Sequence, residues 1–414
     1  MRFSSQSIFY EGKILIVKGE SIERNVSLKE IFFSFLKLGA TAYGGPAMVA
    51  NIKDMAVGEK KWISEKEFLE GIALCQIIPG ATAFQAASYV GYKLRGIKGA
   101  VAAAFAFTFP AFLLMLVLSS AYFSLRNIDI FQTAFIGMRA IVVGIIVNAT
   151  LNIGRSAVDN WKGFLLSLLA FWLFFYKVNI LWVIFISAVI GIFFYYSKET
   201  TNKEQKQLIS ESIDGKKNKF FLSASIIAGF VVVLIFFWCI KYISPVTSKL
   251  CFVLMKINVV AFGGAYSSLP LFQAEVVDKY GWVSTKEFID GIAMGQITPG
   301  PIMITATFIG YKVYGLAGAV LATIAMFAPS FALLMFLSLQ YERFRNFRFF
   351  QPMVKGILSS FVGMLGLMVY YFGKEAIVDL KTLVMTIASA VLIYFNVELF
   401  YIIPVGILIS IVLF

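Results

Sequence analysis

The stretch Gly291 to Pro301, Gly-Ile-Ala-Met-Gly-Gln-Ile-Thr-Pro-Gly-Pro, makes a helix stop and restart inside an apolar region, and it occurs twice. Its twin, Gly71 to Ala81, reads Gly-Ile-Ala-Leu-Cys-Gln-Ile-Ile-Pro-Gly-Ala. In hydrocarbon, freed backbone groups are tolerated only where they face protein or a polar cavity. A Pro-Gly break just before a new helix exposes N–H donors at that helix's N-terminus, and such an end attracts anions.

The surroundings of the break are too apolar for a soluble protein. Of 414 residues, 59% are hydrophobic and 14% charged, with a mean hydropathy of +0.83, the profile of a polytopic membrane protein. The net charge of +13 does not call for nucleic acid, because Lys and Arg sit in short loops between apolar runs, as the positive-inside rule requires. There is no His, and Cys75, Cys239 and Cys251 lie unpaired in apolar runs, so neither a Cys/His metal site nor a disulfide framework is expected. Their default reading is buried, inert thiols. The polar Met1 to Asn25 segment has no apolar core or cleavage pattern, so no removable signal peptide is expected.

Apolar periodicity divides the chain into a tail (1–26), a first repeat (27–196), a polar linker (197–219), a connecting transmembrane helix (220–243) and a second repeat (244–414). Gly44-Gly45 matches Gly263-Gly264, Trp62 matches Trp282, Glu67 matches Glu287, Gln76 matches Gln296 and Pro110 matches Pro329, all at offsets of 219 to 220. Two long repeats in a membrane protein mark a transporter. In the first repeat Lys93, Arg95 and Lys98 precede the Pro110 helix and only Arg126 follows it. In the second only Lys312 precedes the Pro329 helix, and Arg343, Arg345 and Arg348 follow. The positive-inside rule then places equivalent ends on opposite sides, which makes the repeats inverted. The fold expected is all-α, with helices broken at Gly-Gly-Pro and Pro-Gly-Pro turns. The broken segments are either full crossings, thirteen in all, or four re-entrant hairpins beside nine full spans; four lysines in the loop 51–67 favour hairpins. The N-terminus and linker are expected in the cytoplasm and Phe414 outside.

At Leu36 to Pro46, Leu-Lys-Leu-Gly-Ala-Thr-Ala-Tyr-Gly-Gly-Pro, and at the Pro-Gly breaks, the duplicated chain resembles the chromate ion transporter family in its long, two-repeat form. The matching positions are Lys37, Gly44, Gly45, Pro46, Gln76, Pro79 and Gly80 in the first repeat, and Lys256, Gly263, Gly264, Gln296, Pro299, Gly300 and Pro301 in the second. Ala81 and Ala265 replace the last proline of one turn in each half. The resemblance implies transport of chromate and of related oxyanions such as sulfate, at the cell membrane.

The residues read alone agree in sign. Lys37 and Lys256 sit at equivalent points of apolar runs, where an ammonium is costly unless paired or facing a water-filled path. They attract an anion, snorkel to the interface, or pair with Glu70 and Asp290. The glycine turns either aim half-helix N-termini at a midplane site or pack helices closely. Thr41, Gln76, Gln85, Gln296, Thr298 and Thr305 lie near the turns and can donate to oxyanion oxygens or to a neighbouring helix. Glu70 and Asp290 are candidates for a coupling proton, or for salt bridges near the surface. Arg139, opposite Leu358 in the repeat alignment, reads as a lipid-interface or local ion-pair residue, and Trp62 and Trp282 as interfacial anchors. Glycines away from the turns, such as Gly191 and Gly229, are expected to tolerate substitution.

No cofactor is implied, and the partners expected are a small oxyanion and the lipid bilayer; association of identical chains is compatible with the sequence. The rivals are a transporter of another small anion and an anion channel lined by backbone dipoles. A membrane enzyme is disfavoured, because no Ser or Asp set stands beside a recognisable base.

Overall fold

The computed structural model describes residues 26–43, 45–196, 227, 231, 234–235, 238–242, 244–345 and 349–414. The N-terminal tail, the polar linker, most of the connecting helix and Gly44 lie outside the described residues. Everything described is helical or connects helices. In the first half these are α1 (Leu28–Thr41), α2 (Gly45–Lys53, continued by a π turn, Asp54–Glu59), α3 (Glu65–Ile77), α4 (Thr82–Leu125), α5 (Asp129–Ala157), α6 (Trp161–Phe175) and α7 (Ile180–Tyr195). In the second half they are α8 (Pro245–Val260), α9 (Ser268–Phe272, continued by a π turn, Gln273–Lys279), α10 (Thr285–Ile297), α11 (Thr305–Arg345), α12 (Phe350–Ala376), α13 (Leu380–Tyr394) and α14 (Leu399–Leu413).

Each half begins with two helical hairpins. Lys60, just after the α2 π turn, reaches back to Glu30 at the start of α1, so α1 and α2 enter and leave at the same end. α3 starts with a capping box in which Ser64 and Glu67 exchange hydrogen bonds, and Glu67 lies 3.9 Å from Lys93. The chain thus runs in along α3, breaks at Pro79-Gly80 and returns along residues 82–94 of α4. At Arg95-Gly96 α4 folds back on itself: Gly96 has φ +59°, and a Cβ on Gly91 or Gly99 would collide with the other's carbonyl. Only glycine allows so close a reversal. The second half repeats this with Ser284 and Glu287 as the capping box, a Glu287–Lys312 ion pair at the hairpin mouth, and a reversal at Gly315, φ +55°, flanked by Gly310 and Gly318.

Beyond each reversal the second limb of α4 or α11 crosses the molecule. From Gly99 to Arg126 this is about 40 Å at 1.5 Å per residue, more than the hydrocarbon core of about 30 Å. Its far end lies at the other half's hairpin mouth, where Arg126 pairs with Glu287 and Phe123 stacks on Tyr311. Reciprocally, Leu334, Met335 and Leu337 of α11 pack with Tyr89, Tyr92 and Ala100. The hairpin mouths of the two halves therefore lie at opposite ends of the crossing helices. Among the described residues four helices are long and apolar enough to cross a membrane, Thr82–Leu125, Asp129–Ala157, Ile302–Ser338 and Gln351–Ala376; α6, α7, α13 and α14 are shorter and apolar.

The remaining helices interlock the halves through small residues. A Cβ on Gly144 of α5 would meet Ser389 of α13, and one on Gly363, its equivalent on α12, would meet the Ser167 carbonyl of α6. Close backbone approach of this kind is how helices associate without a hydrophobic drive. It corrects the expectation for Gly191, whose Cβ would lie 2.7 Å from the Gly356 Cα and the Pro352 carbonyl; Gly229 is outside the described residues. Cys75 and Cys251 are buried as expected, but Cys239 is exposed. Trp62 is buried and packs near Phe35, inside the hairpin mouth rather than on its rim.

Candidate functional site

The four hairpin tips meet. Gly80 N–H donates to the Ala261 carbonyl at 2.9 Å, and Gly300 N–H donates to the Ala42 carbonyl at 3.1 Å. Each Pro-Gly tip of one half is thus tied to the end of the first helix in the other. Gly80 and Gly300 both have φ +118°, and Gly263 and Gly264 have φ +84° and +102°, a left-handed region that favours glycine. The two Pro-Gly N–H groups are consumed by these ties. The amides that follow are not: Ala81 caps α4 without a side-chain acceptor, and Thr82, Ala83 and Phe84 N–H have no acceptor among the described residues. Ala81, Ala83 and Phe84 are buried, so this helix end points free donors into the interior.

Around the first Pro-Gly tip the side chains are polar. Gln85 is fully buried and donates to the Pro79 carbonyl at 2.8 Å. A Cβ on Gly80 would lie 2.8 Å from the Ser330 Cβ and 3.1 Å from Asn258 Nδ2. Asn258 is fully buried, and among the described residues its only side-chain hydrogen bond is a long one to the Met303 sulfur, 3.9 Å. Gln85 Oε1 and Asn258 Oδ1 have no hydrogen-bond partner among the described residues. A buried polar atom left unpaired is costly, and in a native site it marks a place for water or ligand. The second Pro-Gly tip differs: among the described residues a Cβ on Gly300 would meet only Ala111, and Gly39, the repeat equivalent of Asn258, packs on the backbone of Phe107.

The two lysines separate. Lys256 pairs with Glu275 at 2.6 Å, and Lys279 joins the same carboxylate at 3.3 Å. In the first half the residue at that place is Met55, since Lys60 N–H donates to Met55 as Tyr280 N–H donates to Glu275. Lys37, one turn before its tip, is exposed and has no ion-pair partner among the described residues. Neither lysine pairs with Glu70 or Asp290. Glu70 is half-exposed and in no ion pair among the described residues, whereas Asp290 is fully buried and held by Arg139 and Tyr122.

Of the other expected residues, Thr41, Thr298 and Thr305 turn their hydroxyls back to Lys37, Gly295 and Ile302 carbonyls. Gln296 donates to the Tyr266 hydroxyl at 3.3 Å, and Gln76 is exposed. Gly45 and Pro46 begin α2, and Pro301 precedes a 3₁₀ turn, Ile302–Ile304. Away from the tips, Lys53 beside Glu65 holds that carboxyl below its ordinary range by a hydrogen bond and by its charge, and Lys355 does the same to Asp159. Sequence reasoning missed Asn258 and Ser330. Asn258 was detectable as an amide two residues beyond Lys256 in an apolar run, but nothing local said that it would face Gly80.

The family described as chromate transporter matches residues 29–192 and 248–411, once on each half. An uncharacterized transporter of Methanocaldococcus jannaschii is 40% identical over 370 residues, 89% of this chain and 90% of that one. A chromate transport protein of Cupriavidus metallidurans is 28% identical over 89% of this chain and 88% of its own, and one of Pseudomonas aeruginosa is 27% identical over 88% and 86%. No solved structure matches.

Proposed function

This chain belongs to the chromate transporter family, and we propose that it carries chromate or a related small oxyanion such as sulfate across the cell membrane, binding it where the four hairpin tips meet. The observation that carries this reading is the pair of reciprocal hydrogen bonds, Gly80 to Ala261 and Gly300 to Ala42, which gathers four helix breaks into one hub. Broken helices at the interface of two repeats are a transporter device, with N-terminal ends turned to anionic groups. Here the free amides of Thr82 to Phe84, the Asn258 amide and the unpaired Lys37 supply the donors and the charge. Gln76 in the first half, and Gln296, Thr298, the second Pro-Gly turn and Lys256 in the second, shape the rest of the hub. Of the two carboxylates, Glu70 carries the proton-coupling reading, because Asp290 is already engaged by Arg139.

The first half's hairpin mouths gather Lys53, Lys60, Lys61, Lys66, Lys93 and Arg95. We place that end in the cytoplasm with the N-terminus and the linker, which makes the hairpins re-entrant, the halves inverted and Phe414 external. The ion pair Lys355–Asp159 fits this, since it puts the end of α5 and the start of α12 on one side.

The test is uptake into proteoliposomes of chromate, sulfate and phosphate, with and without a pH gradient. Saturable chromate uptake with counterflow is expected, with sulfate competing. Uptake no faster than in protein-free liposomes overturns the reading, and non-saturable flux without counterflow replaces the carrier by a channel.

A further inference from the structure

Arg139, set opposite Leu358 in the repeat alignment, has no charged counterpart in the other half. Its side chain, only 11% exposed, donates from Nε to Asp290 Oδ1 at 2.6 Å and from Nη2 to Oδ2 at 2.9 Å. The Tyr122 hydroxyl donates to the same Oδ2 at 2.7 Å. A guanidinium carries five N–H groups arranged as two forks. One edge, Nε with Nη2, is fixed on Asp290, while Nη1 has no acceptor among the described residues. Nη1 is not among the buried side-chain atoms that lack a partner, so this second edge opens on accessible space, where an ion pair that only stapled the halves would need no free fork.

Two contacts locate the position. Leu358, the repeat equivalent of Arg139, occupies the space beside the Gly263 tip, so that a Cβ on Gly263 would collide with its side chain. On α5 itself Ile141 and Ile145 belong to an apolar cluster that takes in Tyr266 and Ile297, near the tips of the second half's hairpins. Position 358 thus stands at a tip and is apolar, and its repeat equivalent on α5, position 139, is cationic.

We propose that Arg139 binds the transported tetrahedral oxyanion through its Nη1 edge, while Asp290 and Tyr122 hold the guanidinium through the opposite edge. This rests on the oxyanion reading above. Asp290 and Tyr122 are positioning residues: they fix the plane of the fork, and Asp290 cancels the charge of Arg139 when the site is empty. With Lys37 supplying the uncancelled charge, recognition at Arg139 depends on planar, bidentate geometry, which a lysine cannot reproduce.

The experiment compares the wild-type chain with Arg139→Lys, Tyr122→Phe and the double variant Arg139→Leu/Asp290→Leu, which removes both charges together and so leaves no charge without its counter-ion. Each is assayed for sulfate-dependent thermal stabilisation in detergent and for KM and kcat of chromate uptake. The expected result is a KM raised about tenfold in Arg139→Lys, from the loss of the bidentate contact, and about threefold in Tyr122→Phe, from the loss of one positioning hydrogen bond to the Asp290 carboxylate. The double variant should keep its melting temperature without sulfate and lose the sulfate-dependent rise. A double variant that keeps the full rise and a wild-type KM overturns Arg139 as a ligand. A wild-type chain that responds to none of sulfate, chromate and phosphate overturns the oxyanion reading as well, so the two failures are distinguishable.

Discussion

The Pro79-Gly80 and Pro299-Gly300 tips share a backbone and differ in what surrounds it. Both glycines have φ +118° and both donate to the end of the opposite half's first helix. Yet Asn258, Ser330 and Gln85 close on the first tip, and Gly39 and Ala111 stand at the places of Asn258 and Ser330 around the second. The lysines diverge in the same direction, Lys37 without an ion-pair partner among the described residues and Lys256 held by Glu275, as do Arg139 and Leu358. The duplication kept the backbone that makes a hub and let the side chains specialise. The hub has near two-fold geometry and a one-sided lining, which suits a single anion bound off the axis.

The largest effect expected is at the tip glycines. Gly80→Val and Gly300→Val each force a branched residue into a left-handed conformation, a strain of roughly 1–3 kcal/mol, and each should lower uptake at least about 100-fold because the turn must move. The comparison predicts a difference in binding. Gly80→Val, which also collides with Ser330 and Asn258, should abolish sulfate-dependent stabilisation, whereas Gly300→Val should keep part of it. The reverse order would place the anion at the second tip.

Next is Asn258. A carboxylate there faces the anion, so Asn258→Asp should weaken sulfate binding roughly 100-fold through like-charge repulsion of a few kcal/mol. Asn258→Gly, which makes the first tip resemble the second, should cost about tenfold through one lost hydrogen bond to a charged group. Unchanged binding in both would remove Asn258 from the site.

The lysines should dissociate binding from stability. Lys37→Gln is expected to raise the sulfate Kd about tenfold with little change in melting temperature. Lys256→Gln should do the opposite, because it leaves the buried Glu275 with only the more exposed Lys279. Equal effects of the two substitutions on Kd would erase the asymmetry.

At the packing seams the halves should instead behave alike. Gly144→Val and Gly363→Val overpack equivalent contacts and should each destabilise by roughly 1–3 kcal/mol, read as matched falls in melting temperature. The smallest effect is at Glu65, whose equivalent is Thr285. Its carboxyl is held below the ordinary value of 4.5 by Lys53. A depressed native pKa contributes stability above the unfolded value and loses it as pH falls, so Glu65→Gln should slightly flatten the loss of stability between about pH 5 and 3. Melting curves at those two pH values check it.

Much of this was legible in the sequence because it is local. Pro-Gly pairs stop helices, Ser64/Glu67 and Ser284/Glu287 start them, apolar runs set the spans, and recurrence at a constant offset states the duplication. The hairpin turn at Gly96, equivalent to Gly315, was less visible, since a glycine within a basic loop and one within an apolar run do not announce the same reversal. What the sequence could not state is which side chains of one half reach the other. Lys256 and Asp290 looked like candidates for each other, and the structure gave them Glu275 and Arg139. Arg139 looked peripheral because the aligned position of the other repeat is Leu358, and Gly191 looked dispensable because the helix that it touches, at Gly356, begins more than a hundred residues later. Helix breaks, spans and repeats follow from the chemistry of neighbouring residues. The partners of Asn258, Lys256, Asp290 and Arg139 follow from how two antiparallel halves interlock, and only the tertiary structure brings those distant positions together.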